Sequence, residues 1–396
     1  MKLLLAHNYY RQTGGEDEVF LRESELLRSA SHEVLEYTVH NSEIAEDGIV
    51  HKAKLAARAL WAWDSVAQLR SLLRRERPGL AHFHNTFPLI SPAAYYACQQ
   101  EGIPVVQSLH NARLMCPAAT FYRKGSACHD CLGRSVAWPG VVLACYHDSR
   151  LQTAVIAGMM AGHRILGTWH QQVDAYIVFT EFYRQKFISA GLPREKLFVK
   201  PHFLVTDPGM KQTTGDYVLF LGRLAPEKGI PTLLKAWRSL GHIPLRIAGE
   251  GPMEGDVKQF AEKNPSVCAL PYLSREECFD LIKGARFLVW PSEGYNETFG
   301  LVAIEAFACG TPVIAAGMGA MKEIVADHWT GLHFTPGDPN DLASKVSWAW
   351  SHPTEMEAMG GAARSEYKAK YTAEINYQLL MEIYSRARGA TARKAA

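Results

Sequence analysis

Residues 287–315 read FLVWPSEGYNETFGLVAIEAFACGTPVIA. The apolar run Phe287–Trp290 has the length of a strand and stops at Pro291 and a Gly-containing loop. Helical spacing starts near Thr298–Phe299, and Pro312–Ala315 supplies a second short apolar run. Strand, loop, helix and strand in this order predict a βαβ unit, whose two strands lie parallel in one sheet. The unpaired N–H groups at the helix start carry the positive end of its dipole and suit an anion. Glu297 closes the loop and Glu305 follows eight residues later, so both carboxylates point toward the same side. Glu305 sits among Ala303, Ile304, Ala306 and Phe307. A carboxylate held there needs a donor partner, and vicinal ribose hydroxyls can supply two. The plainer alternative makes Glu297 a helix N-terminal charge and Glu305 a surface residue.

The same alternation runs outward almost to both ends. Strands are predicted at Lys2–Ala6, Glu33–Thr38, Leu80–Phe83, Val105–Leu109 and Ala175–Phe179 in the first half. In the second half they are predicted at Tyr217–Leu221, Leu245–Ala248, Val267–Leu270, Phe287–Trp290 and Pro312–Ala315. Amphipathic helical stretches fill the gaps, which argues for parallel sheets covered on both faces. Turn formers Pro208, Gly209, Thr213, Thr214 and Gly215 crowd the stretch Pro201–Gly215, which reads as a linker. The expected division is an acceptor-side domain at 1–205, a donor-side domain at 206–370 and a C-terminal helix at 371–396 that packs back on one of them.

A chain of 396 residues is long for one core, and two domains are the natural division. The 42 basic and 40 acidic residues nearly cancel to +2, so no overall field draws the protein to nucleic acid. The N-terminus Met1–Ala6 lacks the longer apolar core and cleavage site of a signal peptide, and no apolar run of about 18 residues predicts a membrane span. A cytoplasmic location with reduced thiols is the expectation.

In such sheets ligands bind beyond the carboxyl ends of the strands. There, LGRLAPEKG places Arg223 and Lys228 after one strand. Each cation offers a diphosphate on the order of 4 kcal/mol of gross attraction at about 4 Å and an effective dielectric near 20. IAGEGP (Ile247–Pro252) brings Gly249 and Glu250 to the next loop, where glycine permits either a tight turn or close approach to a ligand. HNYYRQTGGEDEVF places Gly14 and Gly15 before a helix starting near Glu16. VVQSLHNAR ends a strand at His110, and AHFHN ends another at His84, which reads as lining the acceptor pocket.

Together, R…EKG, GEGP, E-x7-E and GTPVI resemble the retaining glycosyltransferases of family 4, specifically over Tyr217–Ala343 and more loosely in the first half. The resemblance implies the GT-B fold, two Rossmann-like domains facing each other across a cleft. It implies that Arg223 and Lys228 bind the donor diphosphate and Glu305 the ribose. Glu297 and the backbone of Phe299, Gly300 and Leu301 would contact donor sugar and phosphate, with Gly14, Gly15, Gly249 and Glu250 also on the donor side. His110 would reach the donor sugar. The family commonly continues His-Asp there, whereas this chain has Asn111, which puts an acid–base role for position 111 in doubt. The implied activity is metal-independent transfer of a hexose-type sugar with retention, from a UDP-sugar before a GDP-sugar. The acceptor would be a polysaccharide, glycolipid or lipid-linked glycan. An epimerase or phosphorylase of the same fold, or a non-catalytic nucleotide-sugar-binding protein, are the alternative readings.

Two segments lie outside these motifs. Cys116, Cys128, Cys131 and Cys145 follow as C-x11-C-x2-C-x13-C in a loop-rich insertion (116–145). The Cys128–Cys131 spacing suits a structural zinc with four thiolates, and free thiols or disulfides are the other readings. Lys52–Arg77 carries seven basic residues against two acidic ones. Read as one helix, it buries Leu55, Ala59, Ala62, Val66, Leu69 and Leu73. Lys54, Arg58, Trp61, Ser65, Leu72 and Arg75 then face outward. Such a face suits an anionic membrane surface, on the inner leaflet side, or is merely a solvated helix.

Overall fold

The computed structural model describes residues 1–11, 14–44, 49–213, 215–294 and 297–395. Gln12, Thr13, Thr214, Tyr295 and Asn296, which fall in the motifs and linker above, lie outside the described residues, as does the side chain of Lys52.

Fourteen strands are found among the described residues. In the first half they are β1 (Lys2–Tyr9), β2 (Glu33–His40), β3 (Ala81–Asn85), β4 (Val105–Ser108), β5 (Tyr122–Arg123), β6 (Ser126–Ala127), β7 (Ala175–Val178) and β8 (Leu197–Val199). The second half holds β9 (Tyr217–Leu221), β10 (Leu245–Ala248), β11 (Val267–Leu270), β12 (Ala285–Trp290), β13 (Val313–Ala316) and β14 (Gly331–Phe334). Central strands such as Leu3–Ala6 and Phe287–Trp290 are buried on both faces, so they read as unbroken apolar runs. The edge strand β2 alternates exposed and half-buried residues instead. The chain forms two compact units. One comprises Met1–Phe121, His129–Lys200 and Asn376–Ala396; the other Tyr122–Cys128 and Pro201–Ile375.

In the first unit the parallel sheet has the order β2-β1-β3-β4-β7-β8. From β1 the chain turns to one side and from β3 to the other, so their carboxyl ends flank the topological switch point. The last helix, Ala373–Ala395, enters this unit from Asn376 onward, and the Tyr384 hydroxyl lies 2.9 Å from His82 Nδ1.

In the second unit the order is β11-β10-β9-β12-β13-β14, all parallel, with the switch point between β9 and β12. This is the classic strand order of a doubly wound dinucleotide-binding sheet. The small antiparallel pair β5–β6 belongs to this unit. The stretch 201–213, read above as a linker, is packed onto it. Asp207 takes both arms of Arg364, at 2.7 and 2.6 Å. Lys211 donates to the carbonyls of Ala285 and Arg286, and burial lowers its ammonium pKa to about 8. Turn formers mark a change of direction there, not a loose tether.

The basic segment differs from its reading in three ways. It forms two helices, Ile49–Leu60 and Trp63–Glu76, broken at Trp61–Ala62. Ser65 is buried, its hydroxyl 2.8 Å from that of Tyr37. Trp61 is half-buried against Tyr96 and His163, and the exposed indole is Trp63, at 73%. The break rotates the second helix, so a face extrapolated through position 61 misassigns both residues.

Candidate functional site: a basic loop pair and a buried histidine chain

The second unit gathers its predicted residues around the switch point. After β9, a short turn (Pro226–Lys228) presents Lys228, and after β12 the loop brings Glu297 onto it in an ion pair. Ser292 Oγ donates to the same carboxylate oxygen at 2.9 Å. Burial alone would raise the Glu297 carboxyl; Lys228 and the Ser292 hydroxyl hold it below its ordinary value. An acid at this point is therefore an anion, and Lys228 is oriented by it. Arg223, in the loop after β9, is exposed, and no ion pair to it forms among the described residues. The neighbouring Glu293 is tied by Thr232 Oγ1, a contact the sequence did not announce.

The helix begins later than predicted, at Leu301, with Gly300 as its cap. Glu297 therefore stands in the loop, and half-buried Glu305 lies just over one turn into the helix. Gly300 has φ +117, and a Cβ there would sit 2.1 Å from the Trp290 ring, so only glycine lets the loop pass over that indole. Phe299 is a core residue, edge-on to His202 and Tyr371, which leaves only its backbone for a ligand. In IAGEGP the glycines have a packing role. Gly249 has φ +141, and a Cβ would meet the Gly222 carbonyl oxygen at 1.9 Å, while Glu250 itself is exposed. These glycines bring one loop against another; the Leu224 N–H donates to the Glu250 carbonyl at 2.8 Å.

In the first unit, Gly14 and Gly15 are exposed at the start of the helix Gly15–Ser29. The Gly14 N–H is already used: it donates to Asp17 Oδ2 at 2.8 Å, while Asp17 Oδ1 lies 2.6 Å from His7 Nε2. Glu16 follows, accepting from Asn85 at 3.2 Å and from Asn111 at 3.3 Å. So Asn111 is a positioning amide on a carboxyl group. Burial, then the nearby Asp17, raises the Glu16 pKa to about 8. The unfolded chain titrates near 4.5, so this group removes stability as pH rises from about 4.5 to about 8. Glu16→Gln is expected to raise Tm by about 10 °C at pH 9 and by about 2 °C at pH 5. Equal shifts at both pH values would show that the carboxyl titrates normally.

His110 lies two residues past β4, half-buried, with its ring on Phe179 and on His84. His110 Nε2 and His84 Nδ1 are 3.1 Å apart. Behind His84 lie three groups with fully buried side chains that sequence reasoning missed or left unassigned: Glu23, His82 and Lys200. Lys200 Nζ donates to Glu23 Oε1 at 2.5 Å and to Asn376 Oδ1 at 3.0 Å. Burial opposes charge on Glu23, but Lys200 and the imidazoles hold it well below the usual carboxylate range; burial keeps His82 neutral. The sequence signal was a lysine ending an apolar run, LFVK, at residues 197–200.

Among the described residues, Glu23, His82 and His84 are the one group of three whose ligand atoms lie within 4.8 Å of one another. An ammonium already occupies the cation's place there, and both His82 nitrogens are engaged, with Tyr384 and Ser108 at 2.9 Å each. Cys116, Cys128, Cys131 and Cys145 form no such group among the described residues.

Residues 13–207 match the model "Glycosyltransferase Family 4" and residues 207–366 match "Glycosyl transferases group 1". The chain belongs to the family 4, group 1 glycosyltransferases. It is 35% identical over 238 residues to a D-inositol 3-phosphate glycosyltransferase of Mycolicibacterium smegmatis, covering 54% of each chain. The chain spans about half the length of the curated relatives it matches. Among solved structures it is similar to Anabaena HepE in complex with UDP, with TM-score 0.68, 17% identity, and 97% and 100% of the two chains covered. It is likewise similar to the sucrose-phosphate synthase of Thermosynechococcus elongatus, with TM-score 0.70, 19% identity and 98% and 100% covered. At these identities the likeness gives the family 4 chain its fold, two parallel-sheet domains of the GT-B type. No helix among its described residues is long and apolar enough to cross a membrane.

Proposed function

We propose that this family 4 protein is a retaining hexosyltransferase that takes its sugar from a nucleotide-sugar donor, a UDP-sugar before a GDP-sugar. The observation that carries the reading is the Lys228–Glu297 pair with exposed Arg223 beside the switch point of the second sheet. A diphosphate brought there meets two cations, one of them pre-oriented, and a helix start. The relative solved with UDP supports the choice of base. In transfer, a bond forms from an acceptor oxygen to the anomeric carbon as the bond to the leaving phosphate breaks. The acceptor proton passes to the departing diphosphate, whose growing charge Arg223 and Lys228 stabilise. Glu305 holds the ribose and His110 a sugar hydroxyl.

A thermal-shift panel of UDP, GDP, ADP and their sugars tests the donor site, with Glu305→Ala beside the wild type. Saturation at about 100 times Kd stabilises by roughly 2.7 kcal/mol. One nucleotide should shift the wild type and leave the variant unmoved. No shift with any nucleotide would overturn this reading.

The acceptor we propose is a glycan or lipid-linked glycan, met at the cytoplasmic face of a membrane. Trp63 stands exposed, and Arg70, Arg74 and Arg75 line a concavity of about 750 Å³ with it. Glu101 shares two of those arginines, which tempers the charge without cancelling it. Co-sedimentation with vesicles should rise with anionic lipid content and fall in Trp63→Ala; indifference to anionic lipid would discard the membrane partner.

A further inference from the structure

The chain of buried groups behind His110 fixes which of its nitrogens carries the proton. Glu23 Oε2 and His84 Nε2 face each other at 3.3 Å, and neither has another hydrogen-bond partner. Both are fully buried. Were His84 Nε2 bare, two lone pairs would oppose each other in a dry site, one of them on an anion. That arrangement is costly, so Nε2 carries the hydrogen and points it at the carboxylate. Glu23 remains an anion because Lys200 holds its other oxygen. With its hydrogen on Nε2, a neutral His84 is an acceptor at Nδ1, and the partner there is His110 Nε2 at 3.1 Å. His110 must then donate from Nε2, so its Nδ1 carries no hydrogen.

We infer that Glu23 and His84 are positioning residues for His110: they hold it as the Nε2–H tautomer, with Nδ1 presented as a hydrogen-bond acceptor for a hydroxyl of the transferred sugar. The sugar contact rests on the proposed function; the tautomer does not. The titratable groups facing the pair are Lys200, His82 and His7, whose ring stands edge-on to His84, and Tyr384 reaches it through His82. Lys200 supplies the counter-charge, and His82 is bound on both sides by hydroxyls.

The arrangement has an exposed weak point. In Glu23→Gln the carboxamide oxygen stays on Lys200 and its NH₂ turns to His84 Nε2. His84 must then carry its hydrogen on Nδ1 and donate to His110 Nε2, and His110 moves its hydrogen to Nδ1. One conservative change flips two tautomers and turns His110 from acceptor to donor. Wrong-tautomer histidines in hydrolytic triads show how much such a flip costs.

The test is ¹⁵N NMR of histidine-labelled full-length protein, with His110→Ala and His84→Phe assigning the signals, beside steady-state transfer. The wild type should show the Nε2–H tautomer at both His84 and His110, and Glu23→Gln should show Nδ1–H at both. Its kcat should fall on the order of 10²-fold with donor KM within about twofold. His84→Phe keeps the ring stack and should lose kcat similarly. A wild-type His110 in the Nδ1–H form overturns the inference, even if Glu23→Gln fails to fold. So does a Glu23→Gln protein whose His110 tautomer is unchanged. If the flip occurs but neither it nor His110→Ala alters kcat, the positioning chain stands and the sugar contact of His110 falls.

Discussion

Lys228→Ala is expected to lower kcat/KM for sugar transfer by on the order of 10³-fold, the range found when one preorganised donor to a developing oxyanion is removed. Two effects combine. The departing diphosphate loses a cation, and Glu297 loses the partner that holds it as an anion beside the phosphate site. An unpaired carboxylate there repels the donor that Lys228 attracted. The double variant Lys228→Ala, Glu297→Gln removes that repulsion and should regain part of the lost donor affinity, but not kcat. If Lys228→Ala retains more than about a tenth of wild-type kcat/KM, the loop pair is not the diphosphate site.

Lys200→Met is expected to destabilise the first unit by about 3–5 kcal/mol, the cost of breaking a buried pair by removing one partner. Both side chains are fully buried, so Glu23 would have to protonate or stay charged without Lys200. In a domain of this size each kcal/mol is worth roughly 2–4 °C, so thermal unfolding should begin about 10 °C lower. Adding Glu23→Gln to Lys200→Met should recover much of the loss, because a neutral amide makes the smaller demand. Loss of less than about 1 kcal/mol in the single variant would mean that water reaches the pair.

Where the candidate residues of the second unit sit could be read from sequence because their placement is local. Arg223, Lys228, Glu297 and Glu305 sit in loops and a helix adjoining strands, and the strand signals at Tyr217–Leu221, Leu245–Ala248 and Val267–Leu270 coincide with β9, β10 and β11. The edge strands β8 and β14 were not read, because three and four residues with one neighbouring strand leave too little apolar run. The start of the helix at Leu301 was misplaced because Phe299, which fits a helical apolar face, packs on His202 and Tyr371 instead.

What the sequence determined by itself is whatever repeats over a few residues: alternating strands and helices, two domains, and the loops that carry charge or glycine. Only the tertiary structure decided which strands are neighbours, so that two similar halves adopt the orders β2-β1-β3-β4-β7-β8 and β11-β10-β9-β12-β13-β14. It also decided that Asp207 meets Arg364, 157 residues away, and that Glu23 meets Lys200, 177 residues away. Periodicity records how a segment buries its own apolar face. A buried charge is settled by whichever partner the folded chain brings to it, and nothing local marks that partner.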